Sequence, residues 1–123
     1  GGRKEIFLPW PGFDGHPSPL CTVSAAMLEL AERHHPAWER CRPAARTLLA
    51  RNGCQVLGPD LATPSRVVIG WTPGGEPVGG TGQAIRIALA HGVPVLNLGR
   101  PELAGADAAW VVARAGALAE ERP

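Results

Sequence analysis

The sequence predicts an α/β fold, a small open parallel sheet with flanking helices, on three observations. Apolar runs at residues 67–69 and 93–98 are short and nearly unbroken, as strands buried in a parallel sheet are. Around them lie stretches whose apolar residues recur at three- and four-residue spacing, the period of a helix packed along one face. The two kinds of segment alternate, and strand–helix–strand order makes parallel neighbours joined by right-handed crossovers. At 123 residues the chain is expected to be one domain over residues 1–123, small for a layered fold of this class.

Residues 5–10 read as a first short strand that Pro9 and Pro11 terminate. After a loop rich in Gly, Pro, Asp and His, Ser18-Pro19 has the pattern of a helix start, with Ser as N-cap and Pro in the first turn. Leu20, Val23, Met27, Leu30 and Ala31 or His34 continue that helix to about His34, where His35-Pro36 breaks it. A second stripe, Trp38, Cys41, Ala45, Leu48 and Leu49, crosses Pro43, which should kink or divide it, and Asn52-Gly53 suits a C-terminal cap. Residues 55–65 read as irregular, 66–71 as a strand, 81–90 as a helix closed by His91-Gly92, and 93–98 as a strand. Asp107 is placed to cap a last helix reaching Glu121.

The most informative stretch joins the second predicted strand to its helix. It carries Gly74, Gly75, Gly79, Gly80 and Gly82 with Pro73 and Pro77. A strand, a glycine-rich turn and a helix N-terminus together make an anion site, because unpaired N–H groups point outward and the helix dipole adds partial positive charge. The alternative is a connection whose glycines merely let the helix pack closely on the sheet. Gly74 to Thr81 matches the phosphate loop G-x-x-x-x-G-K-[ST] except that Gly80 stands in the lysine's place, which argues against an ATPase. Gly80-Thr81-Gly82 matches only the first half of G-x-G-x-x-G, and it lies too far from the strand end for a dinucleotide-binding turn.

Composition excludes more than it assigns. The formal charge is +1, and Lys4 is the only lysine among twelve basic residues, so no general field draws nucleic acid or an anionic membrane. No apolar run approaches the roughly 18 residues of a membrane span. Cys21, Cys41 and Cys54 are odd in number and lack C-x-x-C spacing, which favours free thiols over a disulfide framework or a zinc site. With no signal-peptide pattern at the start, the expected location is cytoplasmic. His34-His35 is no metal pair, since adjacent helical positions face apart. No cofactor or metal is expected.

Lys4-Glu-Ile-Phe-Leu-Pro-Trp-Pro-Gly-Phe13, His35-Pro-Ala-Trp38, Arg51-Asn52, Gln55-Val-Leu-Gly58, Trp71-Thr-Pro73, Gly79-Gly-Thr-Gly-Gln-Ala84 and Pro94-Val-Leu-Asn-Leu98 resemble the SLOG superfamily. The resemblance is to its phage and prophage group, and it runs from Lys4 to about Gly99. It implies a Rossmann-like sheet holding a nucleotide or nucleotide-derived ligand at the glycine loop. Two departures accompany it. Such proteins usually begin with a strand–helix–strand portion and an earlier glycine loop, so the chain is expected to be N-terminally incomplete. Related Lonely-guy phosphoribohydrolases also carry a glutamate soon after Gly-Thr, where this chain has Gln83 and Ala84.

The candidate ligand contacts are therefore Thr72, Gly74, Gly75, Gly79, Gly80, Thr81, Gly82, Gln83 and Asn97. Thr81 can donate its hydroxyl to a phosphate or simply cap its helix. Asn97, polar near the end of an apolar strand, is either a site residue or a hydrogen-bonded core amide. Trp10 and Trp71 can stack on a base or pack at the rim. Glu76, the one carboxylate of the glycine loop, is the default general acid/base if chemistry occurs, the alternative being an exposed loop residue without a role. Arg46, Arg51 and Arg86 read mostly as solvated, with Arg51 in reach of an anion. Two functions follow: binding of a nucleotide-like small molecule without turnover, or cleavage or transfer at an N-glycosidic bond. The lack of an activated carboxylate favours binding. Backbone N–H groups of Gly80, Gly82 and Gln83 are the expected donors, and Gly82→Glu is expected to abolish binding without disturbing the fold. A homo-oligomer covering an exposed sheet edge is also expected; membrane and nucleic-acid partners are not.

Overall fold

In the computed structural model, which describes residues 2–121, the first helix is α1 (Ala25–His34) and its cap is Ser24 rather than Ser18. The Ser24 hydroxyl accepts from the Met27 N–H at 3.2 Å, and the Met27 sulfur accepts from the Ser24 N–H at 3.2 Å. Ser18 is used differently: its hydroxyl donates to the Ile6 carbonyl and accepts from the Leu20 N–H at 3.2 Å. That pins residues 5–8 against the segment before α1, with Leu8 N–H donating to Leu20 O at 2.7 Å. Residues 5–10 thus form no strand, and Leu8 is buried at the helix pair instead of in the sheet.

Pro43 divides the second helical stripe. Trp38–Arg40 forms a single 3-10 turn, and α2 (Pro43–Leu57) begins with Pro43 in its first turn, where a missing N–H costs nothing. Arg46 ties the two pieces together: its Nε and Nη2 donate to the Trp38 carbonyl, and its guanidinium lies 5.0 Å from the centre of the Trp38 ring. Asn52-Gly53 does not end this helix. Gly58, at φ 80°, follows its last residue. Gly53 lies inside, where an added Cβ would sit 2.9 Å from a Leu30 methyl, so its small size lets α1 and α2 approach.

The sheet among the described residues has two strands, not three. β1 (Val68–Gly70) and β2 (Val95–Asn97) are parallel, pairing Val68 with Val95, Ile69 with Leu96 and Gly70 with Asn97. The crossover between them is α3 (Gly79–Ala90), which ends at His91 with Gly92 at φ 70°. Met27, Ala31, Ala50 and Cys54 fill the α1–α2 seam. Leu30, Val56, Leu57, Ile87, Ala88 and Val93 join all three helices, and Val68 and Val95 pack against them from the sheet. Fully burying one such side chain contributes about 1.5–3 kcal/mol. The predicted buried strand is therefore covered on one face only: Ile69 stays 49% exposed. The last helix, α4 (Ala108–Glu120), starts as the sequence predicts, with the Asp107 carboxylate accepting from Trp110 N–H at 2.8 Å. Only Ala115 of α4 is buried.

Candidate functional site

The glycine loop leaves β1 at Trp71 and turns through Pro73–Gly75, where Gly74 and Gly75 take φ of 63° and 77°. Both angles are in the left-handed region that side chains resist. The loop is held from beneath by Asn97. Its Nδ2 donates to Thr72 Oγ1 at 2.7 Å, and its Oδ1 accepts from the N–H groups of Thr72 and Gly99 at 3.2 and 3.0 Å. Gly99 passes so close to the Thr72 carbonyl that any Cβ there would overlap it. Thr72 and Asn97 are thus buried brackets across the ends of β1 and β2, their side-chain polar groups bonded to each other and to the backbone.

A second polar bracket fixes α3 from the other side. Gln83 is fully buried; its Nε2 donates to Ala31 O at 2.8 Å, and its Oε1 accepts from Arg86 Nη2 at 2.8 Å. Arg86 also donates to Pro77 O at 2.8 Å and to His34 O at 2.9 Å. Burial lowers the pKa of that guanidinium from its ordinary value. Reading Arg86 as solvated and Gln83 as a ligand contact is corrected here: together they join the loop, α3 and the end of α1. The signal for Gln83 was its place among the apolar positions of α3, Ala84, Ile85 and Ala88. His34, 6.1 Å from the His91 ring, has its pKa lowered mainly by burial and further by His91, Arg33 and Arg86.

Gly82 is also corrected. Its N–H donates to Val78 O at 3.1 Å, and an added Cβ would lie 2.6 Å from the Pro77 carbonyl carbon. It faces neither solvent nor ligand, so Gly82→Glu would break the loop rather than test binding. Gln83, one residue further into the helix, offers no free donor either. The donors available to a ligand belong to the turn before them. Val78 is the N-cap and supplies no side-chain hydrogen bond, and the N–H groups of Gly79, Gly80 and Thr81 have no acceptor among the described residues. All three residues are exposed, and no acidic residue lies in the first turn.

Gly80 and Thr81 open onto a groove of about 770 Å³ between α2, β1 and α3. Gly70 lets the helix end approach the strand, since a Cβ there would stand 3.1 Å from the Thr81 methyl. On the α2 side Asn52 is buried, and its Nδ2 donates to Gly80 O at 3.1 Å. Beside it, Arg51 donates from Nε to Asn52 Oδ1 and from Nη1 to Phe7 O, both at 3.1 Å. Its other neighbour is the Phe13 ring, 5.6 Å from the guanidinium carbon. Burial lowers the Arg51 pKa, but the group stays cationic, since an arginine pKa starts far above neutrality. No carboxylate pairs with it among the described residues. Trp71, 61% exposed, stands at the strand end of the same groove.

The remaining predicted residues are dispersed. Gly74, Gly75 and Gly79 shape the loop outside the groove; a Cβ at Gly75 would sit 2.7 Å from Arg100 Cγ. Glu76 is exposed and does not line the groove, and Trp10 instead packs edge-on against Phe13 at 5.2 Å. Sequence reasoning missed Asn52, whose Asn-Gly context mimicked a helix end. Among the described residues no group of three or more His, Cys, Asp or Glu is arranged to hold a metal ion, and no helix is long and apolar enough to cross a membrane. Comparison of the chain with protein-family models, curated proteins and solved structures finds no match.

Proposed function

We propose that this is a SLOG-type, Rossmann-like domain that binds a nucleotide or nucleotide-derived ligand, with the phosphate at the N-terminus of α3. The observation that carries the reading is the row of N–H groups of Gly79, Gly80 and Thr81 without acceptors, of which Gly80 and Thr81 line a groove whose Arg51 has no carboxylate partner among the described residues. A phosphate there accepts two or three backbone hydrogen bonds and meets the positive end of the helix dipole. Thr81 and Arg51 line the same groove, and Trp71 beside them has an exposed ring on which a base can stack. The setting agrees with the general placement of ligands outside the carboxyl ends of parallel strands. Binding without turnover is favoured over N-glycosidic cleavage because the described residues lining the groove include no carboxylate to serve as nucleophile or base.

Gly80→Glu is the test. A Cβ at Gly80 would stand 3.7 Å from the Asn52 amide, an ordinary contact, and the position is exposed, so the backbone accepts a side chain there. A carboxylate in the first helical turn interacts favourably with the dipole, by about 0.3–1 kcal/mol, while repelling phosphate. Calorimetric titration with adenosine monophosphate and with pyrophosphate should show affinity falling at least about tenfold in the variant, with an unchanged or raised melting temperature. Equal affinities in the two proteins, or no heat with either anion, would sink the proposal.

A further inference from the structure

The groove is longer than an anion needs, and its wall is the open edge of β1. In the parallel ladder, Val68 N–H donates to Pro94 O at 2.9 Å and Gly70 O accepts from Leu98 N–H at 2.8 Å. Residues of a strand alternate, so Val68 and Gly70 spend both backbone groups on β2 while those of Val67, Ile69 and Trp71 point the opposite way. That way lies the groove. Its facing wall is α2, which contributes Leu48, Leu49 and the deeper Val56 together with the polar Arg51, Asn52 and Gln55, and its floor includes Ala84 and Ile85 of α3. Backbone hydrogen-bonding groups on one wall, with apolar Leu48, Leu49, Ala84 and Ile85 interleaved with polar side chains on the others, make a position an added strand can fill. Residues 67–71 at about 3.3 Å each make it about 16 Å long.

We propose that this groove receives an extended polypeptide strand supplied in trans, apolar at alternate residues and carrying a carboxylate beside Arg51. The strand adds to the β1 edge, buries its apolar side chains against α2 and α3, and turns the two-stranded sheet into three. Charge sets the last requirement. Among the described residues Arg51 is the one ionisable group lining the groove, its hydrogen bonds go to neutral oxygens, and the N-terminus of α3 adds positive potential at the same end. A second folded copy fits less well, since its own α2 stands beside the edge it would offer. The strand's backbone contacts lie along the β1 edge, which nucleotide binding does not use, but its carboxylate and a phosphate would compete for Arg51 and the positive end of α3.

The probe is a short acetylated peptide alternating valine and threonine and ending in glutamate, added to the isotope-labelled 123-residue chain. Amide exchange is read residue by residue. Binding should slow exchange at Ile69 and Trp71 and leave Val68 and Gly70, already bonded to β2, unchanged. N-methylating alternate peptide nitrogens on the edge that meets β1 should weaken binding at least about tenfold, and lysine in place of the glutamate should weaken it by a similar factor. Leu48→Glu, at a half-exposed groove position, should abolish binding; if that variant fails to fold, the N-methyl comparison on the native chain stands alone. Unaltered exchange at Ile69 and Trp71 with millimolar peptide would overturn the proposal, as would equal binding of the N-methylated peptide. So would protection of the same amides without peptide in a dimer seen by light scattering, which would assign the groove to a second copy.

Discussion

Gln83→Leu measures how much of the loop's position depends on buried polar contacts. Leucine keeps most of the side-chain volume and is a better helix former, so packing and propensity change little. What disappears are the bond from Nε2 to Ala31 O and the bond accepted from Arg86 Nη2. The second matters more, because a guanidinium whose pKa burial already lowers then loses an acceptor. Hydrogen bonds to charged groups contribute about 1.5–3 kcal/mol and neutral ones about 0.5–1.5 kcal/mol, so the loss should be about 2–4 kcal/mol. For a domain of this size that lowers the melting temperature by roughly 8–15 °C. Arg86→Met alone should cost a similar amount, and the double variant much less than the sum, since each change removes the same bond. Thermal melts by circular dichroism on the four proteins give the cycle. Additive losses, or a fall below about 2 °C for Gln83→Leu, would show that the bracket does not hold α3 to α1.

Two further outcomes follow from the same framework. Gly99→Ala should destabilise by more than about 3 kcal/mol, because its Cβ overlaps the Thr72 carbonyl and must displace the loop or β2; a melting temperature within about 2 °C of the native protein would refute that close approach. His34, with its folded pKa lowered below 6.5 chiefly by burial, binds fewer protons folded than unfolded between its folded pKa and 6.5. Stability should therefore rise with pH through that window and be complete above it. His34→Gln should flatten the slope in urea melts, and an unchanged slope would assign it to another group.

Where an element depends on its own few residues, the sequence showed it plainly. Asp107 caps α4 because a carboxylate needs only the N–H three residues on, and Pro36 ends α1 by crowding the residue before it. The parallel pairing of β1 and β2 around α3 also followed from the order of the apolar runs. Misreadings came where a distant partner chose between equal local options. Ser18-Pro19 is as good a helix start as Ser24, but the Ser18 hydroxyl finds the Ile6 carbonyl. Asn52-Gly53 suits a helix end, yet Leu30 packs over Gly53 and Asn52 reaches Gly80. Ile6-Phe7-Leu8 has a strand's composition, but Pro9 and Pro11 remove donors beside it, and Leu8 is drawn to Leu20 instead.

The glycine-rich entry to α3 was legible in the sequence and its unbonded amides were misplaced, for a reason internal to helices. A glycine run entering a helix points to the region of the unbonded N–H groups, but only the three or four amides before the first intrahelical bond are free. The sequence placed that boundary at Thr81; the helix begins at Gly79, which moves the free donors back to Gly79, Gly80 and Thr81 and turns Gly82 and Gln83 into structural residues. The cause is Pro77. It supplies the carbonyl that Arg86 holds, and its backbone fits against a bare Gly82, so the chain is already bent into the helix before Thr81. The loop is tied down at both ends, by Asn97 at Thr72 and by Arg86 at Pro77, which holds the segment carrying the free N–H groups in place. That preorganisation reduces the ordering cost a ligand must meet, and it explains why the glycines are distributed among left-handed turns, close approaches and open donors.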